Sequence, residues 1–181
     1  MMKTIKYSAG FTLIELVIVI VILGVLAVTA APRFIDLSED ATNAVTQGQM
    51  GAFKSGITLL QAKYQIRQTT PINIGGQSVD FTSDGWAQGS TADTAGCVDL
   101  WNKVYSSPEP VNALASYNSP LVTGWNAYYY SGACGYIPSN AGEVFYDDTG
   151  NPTQVHFVYF TQDLTVSTYS GNAGDVKMYN L

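Results

Sequence analysis

The chain has 181 residues, a formal net charge of −6 and a hydrophobic share of 46%, enough for one compact domain plus an accessory segment. Beyond Arg67 only Lys103 and Lys177 are basic, against ten acidic residues, which leaves that portion near −8. Such a surface repels a phosphate backbone, so nucleic acid is excluded as a partner.

Met1 to Gly10 hold Lys3 and Lys6, no acid, and end in Ser8-Ala9-Gly10. An apolar run follows from Phe11 to Ala31, about 21 residues, long enough to cross a bilayer as a helix. The basic flank keeps the N-terminus cytoplasmic and sends everything after Pro32 to the far side. An ordinary secretory signal is cut behind its apolar core. Ala30-Ala31 offers such a site, but Pro32 stands directly behind the bond. Gly10–Phe11, ahead of the core, is the better cleavage point.

Glu15 breaks the run about one helical turn after Phe11. An unpaired carboxylate in hydrocarbon costs several kcal/mol. Cleavage after Gly10 would create an α-ammonium on Phe11, a cation of the right sign at the right depth. Within one chain the two could meet; in a bundle each Glu15 could pair with a neighbour's N-terminus, which gives a physical reason for assembly. The alternative is a tolerated acid close to the lipid headgroups.

The run Gly10-Phe11-Thr12-Leu13-Ile14-Glu15-Leu16 resembles the processing motif of type IV prepilins and of the related pseudopilins of type II secretion. The resemblance implies a prepilin peptidase that cuts after Gly10, methylation of the Phe11 amine, and docking of the subunit through Glu15. Ala30-Ala31-Pro32-Arg33-Phe34-Ile35-Asp36-Leu37 further resembles mannose-sensitive haemagglutinin (MSHA) pilins. By the same resemblance Gly24 and Pro32 are helix-breaking and bound a stretch that can unwind in a filament. A gentle kink is the other reading, since proline deletes an amide donor and glycine weakens a helix.

After Pro32 the pattern turns amphipathic. Phe34, Leu37, Ala41, Val45, Gly48, Ala52, Ser55, Leu59, Ala62 and Ile66 follow three-four spacing, which predicts the stripe that lies against the rest of the protein. With the apolar run it predicts one helix of about 50–55 residues. Asp36, Glu39 and Asp40 early, then Lys54, Lys63 and Arg67 late, suit the helix dipole.

From Thr69 the helical signal stops. Gly75-Gly76 separates Ile72-Ile74 from Val79-Phe81, and the stretch through Gly96 reads as loop. Short strands are expected near Tyr128-Tyr130 and Glu143-Tyr146. Val155-Thr161 and Leu164-Tyr169 are expected to form a hairpin turning at Gln162-Asp163, the first an inner strand with two apolar faces. Cys97 and Cys134 are the only cysteines; in an exported domain such a pair reads as a disulfide, worth roughly 3–4 kcal/mol, with two separate thiols as the other reading.

Catalytic signals are missing. His156 is the single histidine and sits in a strand pattern, where packing explains it better than base chemistry. No phosphate-cradling glycine loop or zinc spacing is present, and no cofactor is expected. Asp147, Asp148 and Asn151, around Gly150, make a weak calcium candidate or a plain turn. Trp101, Tyr105, Trp125, Tyr128, Tyr129, Tyr130 and Tyr136 read as a small core or subunit interface before a sugar pocket.

The expected architecture is α+β: a leader at 1–10, a membrane or filament-core helix at 11–32, and an amphipathic helix at 33–67. A head at 68–181 follows, an antiparallel sheet of about four strands with the loop 97–134 beside it. The resemblance implies a non-enzymatic filament subunit that polymerises with itself. Its partners are then prepilin peptidase and the assembly machinery, and it passes from the bacterial inner membrane to an extracellular pilus. A type II secretion pseudopilin is the alternative. Adhesion, including to surface glycans, follows only from the narrower resemblance.

Overall fold

The computed structural model describes residues 11–116, 118–139, 143–147 and 149–180, with the backbone alone for 31–36. Gly10 and Asp148 lie outside the described residues, as does the side chain of Phe34. The chain forms two compact units, Met1–Ala41 and Thr42–Leu181.

Helix α1 spans Leu13–Arg67 and runs through both Gly24 and Pro32. It stops where Gln68 turns to a φ of 49°, its N–H donating to the Tyr64 carbonyl at 2.6 Å. A left-handed residue there closes the last turn, and Pro71 cannot continue it.

Within the second unit, α1 buries a different face from the one the spacing suggests. Thr46, Phe53, Ile57 and Leu60 are buried, with Met50 and Tyr64 packed beside them. Val45, Leu59 and Ile66 of the expected stripe are exposed, as are Gly48, Ala52, Ser55 and Ala62. Two apolar faces run along this helix. The one with fewer but larger side chains fills the core, because ring and branched volume decides close packing.

Strands β1 (Ile72–Ile74) and β2 (Gln77–Phe81) form the hairpin that Gly75-Gly76 marks. Both glycines have positive φ, 60° and 88°, which a two-residue hairpin turn of this hand requires. Strand β3 (Ala87–Gln88) adds to β2. The loop expected through Gly96 gives way to helix α2, which starts inside it and spans Thr94–Val104. Asp93 caps it by accepting the Gly96 N–H at 2.9 Å, and Cys97, Leu100 and Trp101 are its buried face.

The main sheet has five strands in the order β10-β7-β6-β5-β4. These are β4 (Val111–Ala113), β5 (Gly124–Tyr130), β6 (Ala133–Ser139), β7 (His156–Phe160) and β10 (Val176–Tyr179). All pairs are antiparallel except β4 with β5, which is parallel. β7 is an inner strand buried on both faces, but it pairs with β6 and β10. The expected hairpin partner instead divides: β8 (Leu164–Thr165) pairs with β9 (Ser170–Gly171). Glu143–Tyr146 forms no named strand and contributes bridges at Val144 and Tyr146.

Alternation sorts the sheet into two layers. Trp125, Ala127, Cys134, Tyr136, Phe157 and Tyr159 join Phe53 and Trp101 on one face. Tyr128, Ala133, Ile137, Val158 and Phe160 face the other way and are covered by Leu114, Leu121, Phe145 and Tyr169. Gly135 stands opposite Tyr128 across the strands, and any side chain there would overlap the Tyr128 ring.

Candidate assembly site

In the first unit, Leu13–Ala30 has a mean hydropathy of 3.0, and nothing in that window is buried. A helix apolar all round is built for lipid or for other helices. Its one carboxylate is held at the helix start. The Thr12 N–H and the Thr12 hydroxyl both donate to Glu15 Oε2 at 2.8 Å. Thr12 Oγ1 in turn accepts the Glu15 N–H at 3.3 Å. This reciprocal pair is a capping box: it satisfies amide donors that the first turn leaves open and fixes the carboxylate against the chain.

Phe11, the residue before the cap, is 89% exposed. The structure therefore brings Phe11, Thr12 and Glu15 into one turn. Thr12 escaped the sequence reading, although Thr-x-x-Glu directly ahead of an apolar run is the usual signature of such a cap.

In the second unit the two cysteines are joined, tying α2 at Cys97 to β6 at Cys134 with a Cα–Cα distance of 5.5 Å. The surrounding aromatics are mainly core. Trp101, Trp125, Tyr128 and Tyr136 are buried, Tyr105 and Tyr129 are half-buried, and Tyr130 is exposed. The Trp101 indole N–H donates to the Glu109 carbonyl at 2.8 Å, and that of Trp125 to the Glu109 carboxylate at 3.1 Å.

His156 is fully buried in β7, its ring between Phe145 and Tyr179. Burial pushes its pKa down to about 4, so the ring is neutral at pH 7. Asp147 Oδ1 accepts from the Thr149 N–H, the Thr149 hydroxyl and the Asn151 N–H, at 2.9, 2.6 and 2.9 Å. The Thr149 hydroxyl holds the Asp147 pKa below the ordinary carboxylate value. Asp147 and Asn151 thus shape a turn; Asp148, the third member of the calcium candidate, is not among the described residues.

Residues 5–31 match the family model "Prokaryotic N-terminal methylation motif". The chain is 36% identical over 92 residues to the type IV narrow pilus major component PilA5 of Thermus thermophilus, covering 50% of this chain and 78% of that one. No solved structure matches the chain significantly. An apolar N-terminal helix capped through one glutamate, a disulfide-linked α+β head and these likenesses agree: the chain belongs to the type IV pilin family and is a pilus subunit, inserted in the membrane as a precursor and displayed outside the cell.

Proposed function

We propose that the chain is cut between Gly10 and Phe11, methylated on the Phe11 amine, and polymerised through α1 with Glu15 of one copy facing the Phe11 ammonium of the next. The observation that carries this is the exposed apolar window Leu13–Ala30 with a single carboxylate in its first turn. Each processed copy then holds one positive and one negative group at the same depth. Contact between copies neutralises both and moves apolar surface from lipid into a helix bundle. Such contacts are heterologous and do not close, so they propagate into a fibre.

Under this reading 1–10 is the leader, 11–32 the fibre core and 33–67 the spine of the 68–181 head. Gly24 to Pro32 is the stretch that unwinds on assembly. The heads coat the fibre and serve attachment to surfaces. The disulfide-stapled, aromatic-rich head favours a long surface fibre over the short piston of a secretion system. The test is Glu15→Leu in the native host, reading surface filaments after shearing. The expected result is subunits retained in the membrane without filaments. Undiminished filaments would overturn the role of Glu15.

A further inference from the structure

Within the second unit, α1 turns an apolar face to solvent. Val45, Leu59 and Ile66 stand exposed on it, Ile66 by 83%, with Gly48, Ala52, Ser55 and Ala62 between them. A glycine inside a helix costs stability against alanine, so each one kept there needs a reason. At Gly56 the reason is internal, because a side chain would overlap Val104. At Gly48 and Gly51 a Cβ would meet nothing within 4 Å. Packing inside the subunit does not require these two, whereas a second backbone drawing close from outside would.

The face ends in a cleft of about 360 Å³, lined by Lys63, Ile66 and Arg67 of α1 and by Asn73, Ile74 and Gly75 at the β1–β2 turn. Lys63 and Arg67 are one helical turn apart, and among the described residues neither has a carboxylate partner, whereas Lys103 and Lys177 are ion-paired. Two cations beside an isoleucine suit a carboxylate that stands next to an apolar side chain. The first unit carries such a pair on the same helix. Leu37 is 64% exposed, and Asp40 is exposed with no salt bridge among the described residues. At about 100° per residue, Asp40 stands about 60° to one side of Leu37 and Lys63 about 60° to the other side of Ile66. Parallel helices bring flanking charges together when they are placed in this way. A pilus subunit packs against its own copies, and this face continues the apolar window Leu13–Ala30 along α1.

We propose that the outward face of α1 is a second contact between copies, in which Leu37 of one chain lies on Ile66 of the next and Asp40 enters the cleft at Lys63 and Arg67. The contact rests on the polymerisation proposed above and adds a register to it. Glu15 brings two copies together at the N-terminus, and Asp40 with Lys63 and Arg67 fixes how far one helix slides along another.

The experiment is a charge swap in the native host, with Glu15 intact throughout and filament yield read in sheared fractions. Arg67→Asp and Asp40→Arg each set like charges against each other and should lower the yield at least about fivefold. The double variant restores opposite charges and should recover most of it. Leu37→Cys with Ile66→Cys keeps every charge and serves if a reversed chain fails to reach the membrane. Its filaments, oxidised and then dissolved in detergent, should run as a ladder of covalent multimers, because a heterologous contact repeats. Full yield from both single reversals, a double variant no better than either, or double-cysteine filaments that give no multimers would overturn the contact. Missing wild-type filaments would instead overturn the polymerisation on which it rests.

Discussion

The ring of Phe53 on α1 lies 5.5 Å from that of Phe157 on β7, and both side chains are wholly buried. Phe53 also meets Trp101, Tyr105, Tyr136 and Tyr159, with centroids 5.1 to 6.2 Å away, so one helical side chain gathers α2, β6 and β7. Phe53→Ala should lower head stability by about 3–5 kcal/mol, read as a drop in thermal midpoint. Leu59→Ala, on the exposed face of the same helix, should change it by less than about 0.5 kcal/mol. Equal losses at the two positions would place the wrong face of α1 against the sheet.

The Cys97–Cys134 bond closes a separation of 37 residues between α2 and the sheet. Replacing both cysteines by serine should cost about 2–4 kcal/mol, mainly by freeing the unfolded chain. Denaturant titration of the double variant against the oxidised protein checks this, and an unchanged midpoint would contradict it.

Acid should weaken the head in two windows. His156 has a folded pKa of about 4 against an ordinary value of 6.5, because it is buried among Phe145, Tyr169 and Tyr179. The unfolded chain takes up this proton first, so stability falls as pH drops from 6.5 towards 4, by about 3 kcal/mol in all. Asp93 and Asp147 are held low by the hydroxyls of Thr91 and Thr149. Their contribution is present above their unfolded pKa and is lost only below it, at more acid pH. Urea midpoints across this range should fall for the native chain and much less for His156→Gln between pH 6.5 and 4.

The sequence exposed some of this and hid the rest for identifiable reasons. The apolar run and Glu15 stand out because lipid tolerates so few charges, and Gly75-Gly76 announces its hairpin through backbone freedom alone. The interior face of α1 was misjudged because the rival stripe is longer and equally periodic; only the volume of Phe53, Ile57 and Leu60 separates them. Helix α2 was missed although Asp93 caps it and Cys97, Leu100, Trp101 and Val104 keep helical spacing. The glycines and serine around it drew the reading to a loop. Strand β6 contains Gly135 and Pro138, poor strand formers that tertiary pairing with β5 and β7 overrides. The 155–169 hairpin failed because pairing with β6 and β10 is not encoded in the turn at 162–163.

Thr12 supplies two donors to the Glu15 carboxylate and accepts one amide in return. Thr12→Val should weaken the helix start by about 1 kcal/mol while leaving head stability unchanged. Under the assembly reading, filament yield should fall in Thr12→Val but less than in Glu15→Leu, because the charge itself remains. Quantitative immunoblots of sheared fractions measure this order, and a reversed order would make the cap, and not the carboxylate, the assembly determinant.

The most direct test is intact and N-terminal mass spectrometry of protein sheared from the surface of the native host. The expected chain begins at methylated Phe11 and carries the Cys97–Cys134 linkage, which would join processing, export and polymerisation in one spectrum. A surface chain that retains Met1 to Gly10, or one cut after Ala31, would contradict assembly through a processed N-terminal helix.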